Sequence, residues 1–244
     1  MAKLVQKSGY IKSGKASGYM RYIATREGVE KLAGNGSVRK GQRELIQKLL
    51  TDFPDAVELF EYEDYCKTPT LGTASAFISM ALDANLHEID SESGYMQYIA
   101  TRPRAQKRGI HGLFSSATAV DLASAISELE AHEGNVWTII YSLRREDAVR
   151  LEYDNADAWR TLLMENAPTL AKSMKISLDN FHWYAAFHDE GHHPHIHMMV
   201  WSDDPKEGFL TKNGIAAMRS KLTNAIFGYE MQEIYVRKDV AYSD

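Results

Sequence analysis

Residues 182–202 read HWYAAFHDEGHHPHIHMMVWS and hold six of the nine histidines of the chain. Polar and apolar residues alternate on both sides of a central DEGHHP, which is the period of a half-buried strand. Successive side chains of a strand point to opposite faces. In the first arm His182, Tyr184, Ala186 and His188 therefore share one face, and Trp183, Ala185 and Phe187 share the other. In the second arm His195, His197, Met199 and Trp201 oppose Ile196, Met198 and Val200. A hairpin of the two arms puts His188, His195 and His197 on one face and the apolar set on the other. Neutral imidazoles converging from a rigid sheet form a candidate transition-metal site. Those three are the predicted ligands, with His193, His192 and His182 as second choices.

Composition bounds the alternatives. The 244 residues are 44% hydrophobic, enough for a sizeable core in one domain spanning 1–244. No apolar run suits a bilayer span or a signal peptide, so no membrane partner is expected. The single Cys66 excludes an internal disulfide framework and suits a reducing, cytoplasmic setting. A net charge of −5 disfavours nucleic acid as a partner of the whole surface, but the distribution is uneven. Residues 1–50 carry eleven basic side chains against three acidic ones. A second basic cluster comprises Arg102, Arg104, Lys107 and Arg108. A basic face on an acidic body is compatible with a phosphate backbone.

Toward the N-terminus, residues 3–11 read as a first strand. Ser17 then offers an N-cap to a helix with Tyr19, Tyr22 and Ile23 at helical spacing. The segment SGYMRYIATR at 17–26 recurs as SGYMQYIATR at 93–102 with nine matches in ten. One amphipathic helix used twice for packing accounts for the tyrosines and isoleucines, and less well for the shared Thr-Arg. Helices are expected at 38–50 (ended by Pro54), at 55–65, after a capping Thr73, and over 116–134 up to Gly134. A β-branched and aromatic strand, NVWTIIYSLRRED, follows. Residues 155–176 read as one or two helices around Pro168. After the hairpin comes a helix with Ile215, Met218, Leu222 and Ile226 at apolar spacing, and then EIYVRKD as a strand or tail. The strands together predict an α+β fold, an antiparallel sheet with helices on one face and the histidines on the open face.

A phenol can act as a covalent nucleophile, and a metal can polarise a phosphoryl oxygen. Tyr22, flanked by Arg21 and Arg26, is the candidate, with Tyr98 and Tyr19 as alternates. The first strand, YMRYIATREGVE, the second YIATRPRAQKRGIHGLF, VWTIIYSLRRED and WYAAFHDEGHHPHIHMMVW together resemble relaxases of mobile genetic elements. The likeness is to the MobL/MobP type within the HUH endonuclease superfamily, and it covers nearly the whole chain.

The resemblance implies strand-specific nicking and joining at an origin of transfer through a 5′-phosphotyrosine link, in conjugation or plasmid mobilisation. It matches Tyr22 to the nucleophile, His195 and His197 to the histidine–hydrophobic–histidine pair, and His188 to the third ligand of a divalent metal, Mn²⁺ or Mg²⁺. Single-stranded DNA would contact Arg21, Arg26, Arg102, Arg104, Lys107, Arg108, Arg144 and Arg145, with relaxosome accessory and coupling proteins as further partners. Relaxases commonly carry a long C-terminal extension, so the chain reads as a relaxase domain or the N-terminal part of a longer protein. HPHIHMM also fits histidine-triad nucleotide hydrolases and transferases, with His195 as nucleophile and no metal. A rolling-circle initiator or transposase would share the HUH chemistry, and a non-catalytic DNA-binding or metal-storing module needs no tyrosine.

Overall fold

In the computed structural model, residues 3–10, 35–85, 96, 99–100, 105–106, 111–189 and 191–241 are described, with side chains as far as residue 228. The two copies of the repeat, 17–26 and 93–102, lie outside the described residues apart from Met96, Ile99 and Ala100, and so does the predicted helix after Ser17. Among the described residues the centre is a five-stranded, wholly antiparallel sheet. Its strands are β1 (Val5–Tyr10), β2 (Leu113–Phe114), β3 (Trp137–Ser142), β4 (Phe181–His188) and β5 (His195–Ser202). Their order across the sheet is β1-β3-β5-β4-β2. The histidine hairpin forms in the expected register, with His188 opposite His195 and Ala186 opposite His197.

Around the sheet lie α1 (Lys40–Asp52), a 3₁₀ turn (Pro54–Glu58), α2 (Phe60–Lys67), α3 (Leu71–Ala84), α4 (Leu122–Glu130), α5 (Arg145–Arg150), α6 (Ala156–Ser173) and α7 (Lys212–Ala241). The face bearing Trp183, Ala185, Phe187, Ile196, Met198 and Val200 packs on α6 and α7 through Trp159, Leu163, Leu170, Met218 and Leu222. This is the principal core. The α+β class, the antiparallel sheet and the position of the histidines opposite this helical layer agree with the sequence reading.

The opposite face has a cover of its own at each flank. Ile140 joins a cluster with Leu45, Leu49, Phe77 and Ile78 of α1 and α3. Ala186, Met199 and Trp201 pack with Ile99, Leu113, Ala125 and Leu129. His188, His195 and His197 are consequently 0–1% exposed, set in the floor of this face.

Several local expectations change. The cap of α3 is Thr70, whose Oγ1 accepts from the Thr73 N–H at 3.2 Å, while Thr73 Oγ1 accepts from the Thr70 N–H at 3.0 Å. Thr73 is thus the reciprocal partner in a capping box. α4 starts after Asp121, whose carboxylate accepts from the Ser124 N–H at 2.8 Å. It ends at Glu130, short of Gly134.

α6 is one helix with Pro168 inside it. Pro168 is exposed, and burial of Leu162, Leu163, Leu170 and Ala171 on both sides offsets a penalty of about 3 kcal/mol. EIYVRKD is neither strand nor tail but the continuation of α7 to Ala241. No glycine or proline follows Gly228 in that stretch to stop it.

Candidate metal centre and its supports

The site is built from strand ends. β4 ends on His188 and β5 begins with His195, so the hairpin closes directly over the cluster. One ring nitrogen from each of His188, His195 and His197 lies within 4.8 Å of those of the other two. The ring centroids are 4.6–5.2 Å apart. His188 Nε2 donates to the Ile99 carbonyl at 2.9 Å, and His195 Nδ1 donates to the His193 carbonyl at 3.0 Å. A carbonyl can only accept, so each bond assigns a tautomer and leaves the lone pair on His188 Nδ1 and His195 Nε2. Ligating histidines are typically oriented this way, through a second nitrogen bonded to a carbonyl or carboxylate. The donor set fits a divalent metal.

A second layer holds His195 in place. His193 Nε2 donates to Asp64 Oδ2 at 2.8 Å, and its ring stacks on Phe60 at 5.2 Å with planes 21° apart. Burial pushes the His193 imidazole below the usual histidine range, against the opposing pull of Asp64. Burial works to raise the Asp64 carboxyl, but the hydrogen bonds and charges of His193 and Arg144 prevail and hold it below the usual range. Arg144 bonds Asp64 Oδ1 at 3.2 Å and Glu63 Oε2 at 3.0 Å, with its guanidinium 4.7 Å from the Phe60 ring centroid.

Arg145 clamps the connecting loop. Its N–H donates to the His192 carbonyl at 2.8 Å, Nε to the Gly191 carbonyl at 2.9 Å and Nη2 to Asp189 at 2.5 Å. Arg144 and Arg145, read as DNA contacts, therefore sit in ion pairs that brace the histidine loop. Of the second-choice ligands, His193 supports the cluster and His192 is exposed on the loop. His182 lies six residues up β4, roughly 20 Å along the strand, where its Nε2 meets Asp203 at 2.7 Å.

Arg21, Arg26, Arg102, Arg104, Lys107, Arg108, Tyr19, Tyr22 and Tyr98 lie outside the described residues. Sequence reasoning did not single out Asp64, Glu63 or Phe60. No local signal marks them, because each meets the hairpin from more than 120 positions away or through Arg144.

A family model of the MobL relaxases matches residues 1–242. The chain belongs to the MobL relaxases. No curated protein and no solved structure is detectably similar to it. Membership makes this MobL chain an enzyme of the relaxase kind, a DNA-nicking protein of conjugation or mobilisation that acts on single-stranded DNA at an origin of transfer. The histidine cluster on its sheet could hold a metal ion, as the relaxase resemblance implies. Among the described residues no helix is long and apolar enough to cross a membrane.

Proposed function

We propose that this MobL relaxase cuts and rejoins one DNA strand through a 5′-phosphotyrosine intermediate, with Tyr22 as nucleophile and a divalent metal, Mn²⁺ or Mg²⁺, held by His188, His195 and His197. The reading rests above all on the convergence of three buried imidazole nitrogens within 4.8 Å. It takes residues 1–244 as one catalytic domain working in the cytoplasm, with relaxosome accessory and coupling proteins as partners.

The Tyr22 oxygen, having lost its proton, bonds to the scissile phosphorus. The bond from phosphorus to the 3′ oxygen breaks, and that oxygen leaves as a hydroxyl after taking up a proton. Reversal with a 3′-hydroxyl rejoins the strand. A bound metal would supply polarisation of a phosphoryl oxygen. The chain's own groups do the rest. The Ile99 and His193 carbonyls keep lone pairs on the inward nitrogens of His188 and His195. Asp64 and Phe60 hold His193, and Arg145 holds the loop. Tyr98 and Tyr19 remain the alternate nucleophiles.

The test uses single-stranded oligonucleotides of random central sequence with Mn²⁺. DNA that stays attached to the protein in detergent is sequenced, and the tryptic peptide bearing it is identified by mass spectrometry. Label on Tyr22 is the expected result. Label on Tyr98, Tyr19 or a histidine would overturn the nucleophile, and no adduct at all would overturn the mechanism.

A further inference from the structure

The row of the sheet that carries His195 and His188 also holds a buried polar group with no role in the chemistry proposed above. Ser142 ends β3, directly opposite His195 of β5 and Val5 of β1. Directly opposed residues of an antiparallel pair share a face, with Cβ atoms roughly 4.5–5.5 Å apart. Ser142 therefore stands beside the imidazoles, in the row that runs Val5, Ser142, His195, His188. It is 2% exposed, and its Oγ has no hydrogen-bond partner among the described residues.

A buried hydroxyl without a partner is unfavourable, because it has given up water and received nothing. The adjacent position on this face of β3 is treated differently. Ile140, two residues earlier, is apolar and packs against α1 and α3. An alanine would fill position 142 at lower cost if packing were the only demand. Tyr141 also buries an unpartnered hydroxyl, but it points to the opposite face, into the apolar core of α6 and α7. Among the described residues with an unpartnered buried hydroxyl, Ser142 is the one in line with the histidines. A donor held there awaits an acceptor that arrives with the substrate, and a relaxase substrate brings phosphate oxygens.

We propose that Ser142 is a further catalytic residue, whose Oγ–H donates a hydrogen bond to a non-bridging oxygen of the scissile phosphodiester lying on the histidine cluster. The inference rests on the reading under Proposed function. A preorganised donor aimed at oxygens whose charge changes in the transition state lowers the barrier without reorganisation at the moment of reaction. Hydrogen bonds to ionised acceptors are the stronger kind.

The experiment uses the full chain and an oligonucleotide recovered from the random pool. Ser142→Ala should slow adduct formation by roughly 10- to 100-fold. Its Mn²⁺ affinity should match that of the unsubstituted chain. Its metal-free melting temperature should be unchanged or higher, since an unsatisfied hydroxyl has been removed. Ser142→Thr, which restores the hydroxyl, should recover much of the rate. An unaltered rate in Ser142→Ala would overturn the proposal, and so would a rate loss matched by weaker Mn²⁺ binding or a lower melting temperature. If the unsubstituted chain forms no adduct, the phosphotyrosine reading itself fails, and this inference falls with it.

Discussion

His193 donates a hydrogen bond to Asp64 across 129 positions of sequence, at 2.8 Å, and its carbonyl in turn receives the Nδ1–H of His195. Helix α2 is thereby coupled to the orientation of a candidate metal ligand. Removing Asp64 leaves the buried His193 donor unsatisfied, at a cost of about 1–3 kcal/mol. Asp64→Ala should lower the melting temperature by several degrees, at roughly 2–4 °C per kcal/mol for a chain of this size. Mn²⁺ affinity should fall about tenfold or more. Scanning calorimetry and metal titration read the two effects, and unchanged Mn²⁺ affinity would uncouple Asp64 from the site.

The burial of the histidines decides how their role is tested. Alanine at a fully buried position leaves a void and confounds binding with stability. Glutamine keeps most of the volume. His195→Gln and His197→Gln should each reduce Mn²⁺ affinity by at least about 100-fold and abolish the DNA adduct, while circular dichroism keeps the native signature. Two variants that both retain full metal stoichiometry would move the metal elsewhere.

Tyr22 and Tyr98 occupy equivalent places in the two YIATR copies. Tyr22→Phe should eliminate the covalent adduct and retain binding of DNA and Mn²⁺. Tyr98→Phe should form adduct at close to the unsubstituted rate. The reverse pattern would transfer the nucleophile to the second copy.

Salt dependence should separate two kinds of arginine. Arg102→Ala or Arg104→Ala, if each removes one phosphate contact, should reduce the slope of log affinity against log salt by about 0.7 for single strands. Arg144→Ala should leave the slope unchanged, because that guanidinium is engaged by Glu63 and Asp64, and should lower thermal stability. A slope change for Arg144→Ala equal to that of the others would return it to the DNA surface.

Glu207 offers a pH test remote from the histidines. Its carboxylate accepts from Ser202 Oγ at 2.7 Å and from Ser177 and Asn180 donors at 3.2–3.3 Å. These bonds, the Ser202 one foremost, hold its carboxyl below the usual glutamate range. With the folded value below the unfolded one, the contribution is present above the unfolded value, about 4.3. It is lost as pH falls from there through the folded value. The melting temperature of Glu207→Gln should therefore approach that of the unsubstituted chain in acid and trail it at neutral pH. A constant gap across that window would remove Glu207 as the cause.

Periodicity alone determined the hairpin of residues 181–202, the face shared by His188, His195 and His197, and the apolar strip that meets α6 and α7. A two-residue side-chain period and a sheet with one buried face leave a single register that keeps imidazoles on one side and Ile196, Met198 and Val200 on the other. The composition of 212–228 likewise determined a helix, with Met218, Leu222 and Ile226 buried as spaced. What only the tertiary structure decided is what lies above the histidines. Asp64 and Phe60 reach His193 from α2, with Arg144 bonded to Asp64 just past β3, and Ser142 comes beside His195 through the pairing of β3 with β5. Those contacts depend on which strands become neighbours and on where helices dock. Strand order and docking are set by burial summed over the whole chain, and no local spacing in the sequence encodes them.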